Sequence, residues 1–129
     1  MSSTTSYTFK FQHLPKRPGR AHWAQISKQK TQWAKDFELF ANTMCVPKAR
    51  KGEKRSVHMH LKSRGPLRDR DNLYACCKVP LDALKRAGLI YDDSPSYITL
   101  TVSDESSGIT ETAITLTWEA YNDHTGGAQ

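Results

Sequence analysis

Apolar and polar side chains alternate over Tyr7-Thr8-Phe9-Lys10-Phe11, which places Tyr7, Phe9 and Phe11 on one face of an expected strand. The next segment, Leu14 to Arg20, holds two prolines, a glycine and three basic residues and reads as a charged loop. From about Ala21 to Thr43 the period lengthens to three and four. Trp23, Ile26, Trp33, Phe37, Phe40 and Ala41 predict a helix there, interrupted by the polar stretch Lys28 to Gln32. Pro47 to Arg55 carries five positive charges, one acid and a glycine, and reads as an exposed loop. Alternation returns over Ser56 to Arg64, with Val57, Met59 and Leu61 opposite His58, His60 and Lys62. A second helix is expected from about Asn72 to Ala87 on the stripe Leu73, Cys76 or Cys77, Leu81, Leu84 and Ala87, with Gly88 as its stop. Pro80 removes one backbone donor inside it and predicts a kink. Tyr97 to Val102 and Ala113 to Trp118 read as two more strands, joined by a hairpin connection over Ser103 to Thr112. The order is β-α-β-α-β-β: a single small α+β domain over residues 1–129, with a mixed sheet packed by two helices. Residues 1–5 and 121–129 are expected to be flexible ends.

Composition narrows this picture. A chain of 129 residues suffices for one domain with a core. No apolar run is long enough to span a membrane, and Met1 to Thr8 lacks the apolar stretch of a signal peptide. The expectation is a cytoplasmic protein. Cys45 is isolated and Cys76-Cys77 are adjacent, so neither a zinc site nor a disulfide framework is expected.

Charge is distributed unevenly. Residues 1–68 hold 15 Lys and Arg against 3 Asp and Glu, a net of +12; residues 69–129 hold 4 against 10, a net of −6. A basic half of this kind points to a polyanionic partner. The acids in the other half are clustered at Asp69-Arg70-Asp71-Asn72 and at Asp92-Asp93-Ser94. Crowded carboxylates repel, and a hard divalent cation with oxygen ligands relieves that repulsion.

Each residue also has a plainer reading. Asp69 and Asp71 share a face if the segment is extended and could share one metal ion, or they serve as turn former and helix cap. Asp92-Asp93-Ser94-Pro95 is ordinary turn composition. A return through residues 89–91 would bring Asp93 back beside Asp69 and Asp71 and complete an oxygen-rich site. Lys78 precedes Asp82 by four residues and forms either a helical ion pair or a cation that stabilises charge on a phosphate. His58 and His60 read as solvent-facing or DNA-facing, since no third ligand stands at suitable spacing. Trp23 and Trp33 could stack on bases, but read better as core.

The segment from Asp69 to Asp93 resembles the signature of the RusA family, small Mg²⁺-dependent Holliday-junction resolvases of bacteria, phages and prophages. The pattern has three parts: D-x-D-N-L at Asp69 to Leu73, K-x-x-x-D-A-L at Lys78 to Leu84, and A-G-x-x-x-D-D at Ala87 to Asp93. It covers about a fifth of the chain, and the basic loop Pro15 to Arg20 carries no family motif. The resemblance implies metal binding by Asp69, Asp71 and Asp93 with Asp92 as a supporting acid, and a catalytic role for Lys78. It implies Mg²⁺ as cofactor, with Mn²⁺ able to substitute, and a homodimer that nicks a four-way DNA junction in paired strands, in a bacterial or phage-infected cell. Arg17, Arg20, Arg50, Lys51, Lys54 and Arg55 are the residues expected to hold junction arms through phosphates. The alternative is a module of the same fold that binds branched DNA without cutting it.

Overall fold

In a computed structural model, residues 3–15, 23–65 and 74–120 are described. Four strands and two helices follow the expected order: β1 (Ser3–Phe11), α1 (Trp23–Met44), β2 (Arg55–Ser63), α2 (Lys78–Arg86), β3 (Ile98–Ser106) and β4 (Glu111–Ala120). They form one mixed four-stranded sheet in the order β1-β4-β2-β3. β2 and β3 are parallel, and β4 lies antiparallel to both β1 and β2. The strand expected to start at Tyr7 already begins at Ser3, so residues 3–5, expected to fray, are paired with β4.

The sheet is apolar on one face only. Phe9, Phe11, Val57, Met59, Leu61, Ile98, Ile114 and Leu116 are buried beneath the helices, together with Trp33, Phe37 and Ala41 of α1 and Val79, Leu81, Ala83 and Leu84 of α2. Trp33 is thus core, and it packs against Phe11 at 4.5 Å between ring centroids. Cross-helix polar contacts, Lys30 to Asp82 at 2.7 Å and Arg86 Nη1 to Thr31 Oγ1 at 3.1 Å, fix α1 against α2 at their exposed margin.

Both helices end on a residue in the left-handed region, one a glycine and one not. At the end of α2, Leu89 N–H donates to Leu84 O and Gly88 N–H to Lys85 O, both at 3.0 Å, with Gly88 at φ 79°. This is the Schellman stop expected of Gly88, with Leu84 and Leu89 both buried against it. After α1, Val46 N–H donates to Ala41 O at 2.9 Å, and Cys45 takes the left-handed position at φ 58°. A Cβ in that region carries a steric cost that glycine avoids.

The second helix is shorter than its apolar stripe suggests. Tyr74–Cys76 form one helical turn, Cys77 interrupts it, and α2 runs only from Lys78. Residues 72 and 73 lie outside the described residues. Pro80 accounts for the break. Its ring excludes the carbonyl of residue 76 from a continuous helix, so the helix restarts with Pro80 in its first turn, where a missing N–H costs nothing. The kink expected within the helix is therefore a restart ahead of it.

The hairpin expected between the last two strands does not form. β3 extends to Ser106 and, among the described residues, pairs only with β2, whereas β4 pairs with β2 and β1. The short link, residues 107–110, crosses the end of β2. It is fastened there by Ser107 N–H to Ser63 O at 2.7 Å, Arg64 Nε to Gly108 O at 2.9 Å and Ser106 Oγ to Gly65 O at 3.1 Å.

Candidate functional site

The sheet end at which β2 begins gathers most of the described candidate residues. The loop from Pro47 to Lys54 leaves α1 there and is tied to the end of α2. Ala49 N–H donates to Gly88 O at 2.8 Å, and Lys48 Nζ donates to Ala87 O. A Cβ on Gly88 would stand 2.9 Å from Lys48 Cδ, so the glycine also lets the lysine approach. Lys48 supplies positive charge where the carbonyl end of a helix favours it, as do Lys85 and Arg86 in the last turn.

An open cleft of about 780 Å³ lies beside this loop. Its rim includes Arg50, Lys51 and Lys54, all exposed, and its floor includes Ser56, Thr99 and Thr117 from the open sheet face. Glu53 and Glu119 also line it. Four of the six residues expected to hold DNA therefore line one concavity, Arg50, Lys51 and Lys54 at exposed positions and Arg55 buried in its wall. Arg17 and Arg20 lie outside the described residues.

Arg55 is a correction. It is 1% exposed and does not face the cleft as a free cation. Its Nε donates to Glu53 Oε1 at 3.1 Å, and its Nη1 donates to Leu89 O at 2.8 Å. Its guanidinium carbon lies 3.7 Å from the centre of the Trp118 ring. Nη2 lies 2.9 Å from Glu53 Oε1, within ion-pairing distance but off the hydrogen-bond line, and has no other partner among the described residues. Burial lowers the Arg55 pKa and Glu53 opposes that shift; an arginine starts so high that it stays charged. A signal for this was present in the sequence. Arg55 has the same parity as Val57, Met59 and Leu61, so a strand beginning at Arg55 turns it toward the core.

The acidic residues are only partly described. Asp69 and Asp71 lie outside the described residues. Asp92 pairs with Lys85 at 2.9 Å. That hydrogen bond, with the Asp93 backbone amide next in weight, holds its carboxyl below the ordinary value, and the same pair raises Lys85. Asp93 is exposed, and no ion pair among the described residues engages it. Leu89 and Ile90 are buried, and the chain does not run back along α2: Asp92 is moored at its last turn. Lys78 is the first residue of α2, about 12 Å along the axis from its last. Helix α2 therefore carries Lys78 and the Asp92–Asp93 pair at opposite ends. No three His, Cys, Asp or Glu side chains come together to hold a metal ion among the described residues.

Lys78 has no pairing with Asp82, which is committed to Lys30. The lysine is exposed, at the end of the helix where the peptide dipoles already present positive charge. Two features of like sign coincide there, which favours an anion.

Several polar residues on the sheet drew no notice in the sequence beyond His58 and His60. Ser103 and Glu105 lie in what reads as a loop, yet they stand beside those histidines on β3. Their alternation with Thr101 was the available signal. No helix among the described residues is long and apolar enough to cross a membrane. No family model matches the chain, and no curated protein matches it at a significant level.

Proposed function

We propose that this chain is a metal-dependent, structure-selective DNA endonuclease that resolves Holliday junctions or related branched DNA by paired nicks. The observation that carries this reading is the sequence pattern itself, D-x-D-N at Asp69 to Asn72, Lys78 four residues before Asp82, and Asp92-Asp93, which resembles the RusA signature although Lys78 stands farther from D-x-D-N than in that family's shortest members. Two further features support it. Arg50, Lys51 and Lys54 border one cleft, and Lys78 is exposed at a helix start with its expected partner Asp82 held elsewhere.

In this reading Asp69, Asp71 and Asp93 hold Mg²⁺, or Mn²⁺ in its place, with Asp92 beside them. Held by those carboxylates, a divalent cation would lower the pKa of a bound water and offset charge on the scissile phosphate. Lys78 would stabilise charge that builds on a phosphate near the start of α2, the opposite end of that helix from Asp93. Arg50, Lys51 and Lys54 hold a junction arm through its phosphates, and affinity falls steeply with salt. A homodimer matches the near two-fold symmetry of the junction.

The test is cleavage of a labelled four-way junction and of a linear duplex of the same sequence, with Mg²⁺ and with EDTA. Paired Mg²⁺-dependent nicks in the junction alone are expected. Asp71→Asn is expected to abolish cutting while keeping or tightening junction binding; cutting at the wild-type rate by that variant would remove Asp71 from the metal site. Tight binding without cleavage across several metals would favour the non-catalytic branched-DNA-binding module, a reading that the basic cleft supports without the acids.

A further inference from the structure

Two tyrosines lie on the segment that joins α2 to β3. Tyr91 is 42% exposed, and Tyr97 is half-buried beside it. Their rings stack at 4.9 Å between centroids, tilted by 37°. A single exposed tyrosine is ordinary on a protein surface. The placement of this one matters, because the pair is anchored to a residue of the basic cleft.

Arg55 holds both ends of the segment. Its Nη1 donates to Leu89 O at 2.8 Å, two residues before Tyr91, and its backbone N–H donates to Tyr97 O at 3.0 Å. Between these points Ser94 O accepts from Tyr97 N–H at 2.9 Å and from Ile98 N–H at 3.1 Å, which closes the turn and returns Tyr97 to Tyr91. Arg55 also lines the cleft, and so does Thr99, two residues past Tyr97. The stacked rings are therefore fixed next to the cleft by a buried side chain and a hydrogen-bonded turn.

Charge separates the two neighbours. In the cleft Glu53 is engaged by Arg55, which leaves Glu119 against Lys48, Arg50, Lys51 and Lys54. Phosphates are favoured there. The turn that carries the rings holds Asp92, matched by Lys85 at 2.9 Å, and Asp93, which is exposed. A phosphate is not favoured beside that turn, and a flat uncharged group is. Nucleic acid offers both on one strand: an anionic backbone and, a sugar away, an aromatic base. A basic groove next to an aromatic side chain is an arrangement that binds single strands, since every base has a face on which to stack. In a duplex both faces of each base are covered by its neighbours, so only an unpaired or unstacked base can use Tyr91. A cationic side chain would also suit tyrosine rings beside a carboxylate, but the basic residues of the cleft repel it.

We propose that Tyr91, backed by Tyr97, stacks on an unpaired base of the strand whose phosphates lie in the cleft, and so favours branched or single-stranded DNA over duplex. The proposal rests on the nucleic-acid reading above. It is tested by fluorescence anisotropy in EDTA on a single strand, a four-way junction and a duplex. A 2-aminopurine base, placed in the single strand and at the branch point, reports stacking by its quenching. Tyr91→Ala should weaken single-strand and junction binding about tenfold, the loss of one base–aromatic stack, and leave duplex binding unchanged. Quenching by the wild type should disappear in the same variant. Tyr91→Phe and Tyr91→Trp keep a ring and should keep both signals. The salt dependence of single-strand binding should be the same in Tyr91→Ala as in the wild type, because no phosphate contact is removed, whereas Lys51→Ala should make it shallower.

Equal weakening of all three DNAs by Tyr91→Ala, or no weakening, overturns the proposal. So does a lysine-rich peptide that binds the wild type and not Tyr91→Ala, which would make the rings a site for a cation. Junction cleavage with Mg²⁺ is followed in parallel. Cleavage together with quenching that does not depend on Tyr91 sinks the stacking platform alone, and Tyr91-dependent quenching without cleavage sinks the nuclease reading alone.

Discussion

Replacing Arg55 with methionine separates a structural arginine from a DNA contact. Met has similar length and no charge. It leaves the buried Leu89 carbonyl without the donor now 2.8 Å away, which costs about 1–3 kcal/mol. It removes a guanidinium from the face of Trp118, itself 7% exposed, for about 1–2 kcal/mol. The ion pair to Glu53 adds about 0–1 kcal/mol, since that carboxylate is part exposed and returns to water. Relief from burying a guanidinium offsets part of the sum. The net expectation is a loss of about 2–3 kcal/mol. At about 2.1 cal/mol/K per residue, unfolding entropy makes 1 kcal/mol worth about 4 °C in a chain of this length, so Tm should fall by about 8–12 °C. Urea denaturation should show a lower midpoint at an unchanged slope. Junction affinity, measured well below Tm, should keep its salt dependence. An unchanged Tm together with weakened, less salt-sensitive DNA binding would refute the reasoning and return Arg55 to the surface.

Other expectations follow from the same contacts. Lys85→Ala should free Asp92, so half-maximal cleavage should need several-fold less Mg²⁺ if that acid supports the metal. By NMR the Asp92 carboxyl in this variant should titrate nearer its ordinary 3.8, because Lys85 is the first cause of its depression. The sign is that of a lowered acid: the pair's contribution is present above about pH 4 and is lost as pH falls through the folded value. Lys78→Glu should remove a cation from the positive end of α2 and raise stability by about 0.3–1 kcal/mol in a thermal melt. Single-turnover cleavage should fall at least tenfold in the same variant, and an unchanged rate would remove Lys78 from the mechanism. Cys45→Gly should stabilise the protein by about 0.5–1 kcal/mol, read as a rise of a few degrees in Tm, because glycine takes φ 58° without the Cβ cost.

Periodicity revealed the parts of the fold whose partners are apolar. Strand β2 was plain because Val57, Met59 and Leu61 all turn to one core, and α1 because Trp33, Phe37 and Ala41 do the same. The second half of β3 was hidden for the opposite reason. Ser103 and Glu105 face water on an edge strand, so nothing apolar marks their alternation, and a cluster of Ser, Asp, Glu and Gly reads as a turn. The helix start at Lys78 was missed because an apolar stripe continues through Cys76 and Cys77, while backbone sterics at Pro80 decide the break. Arg55 looked exposed because its neighbours in sequence are basic; parity with Val57 outweighs neighbourhood. The strand order is not a local property, since β4 pairs with a strand over 100 residues away and no short pattern encodes that choice. As to the site, the exposure of Arg50, Lys51 and Lys54 followed from charge alone, whereas the cleft beside them depends on the folded loop and the Lys85–Asp92 pair on how α2 ends.

The position of β4 has a consequence for how the protein is made. Residues 111–120 emerge last among the described elements, yet they are the central seam that joins β1 to β2. Until then β1 has no strand partner, and the β2–β3 unit presents an open edge along β2, with Phe9, Phe11, Val57 and Met59 left without their full cover. Pairings this distant in sequence close slowly. At about 5–20 residues per second, the ribosome holds this chain for several seconds in a state with two unpaired strand edges. A nonsense change between Ser106 and Glu111 would thus leave β1 and the β2–β3 pair as two unjoined pieces of sheet, prone to aggregation and degradation.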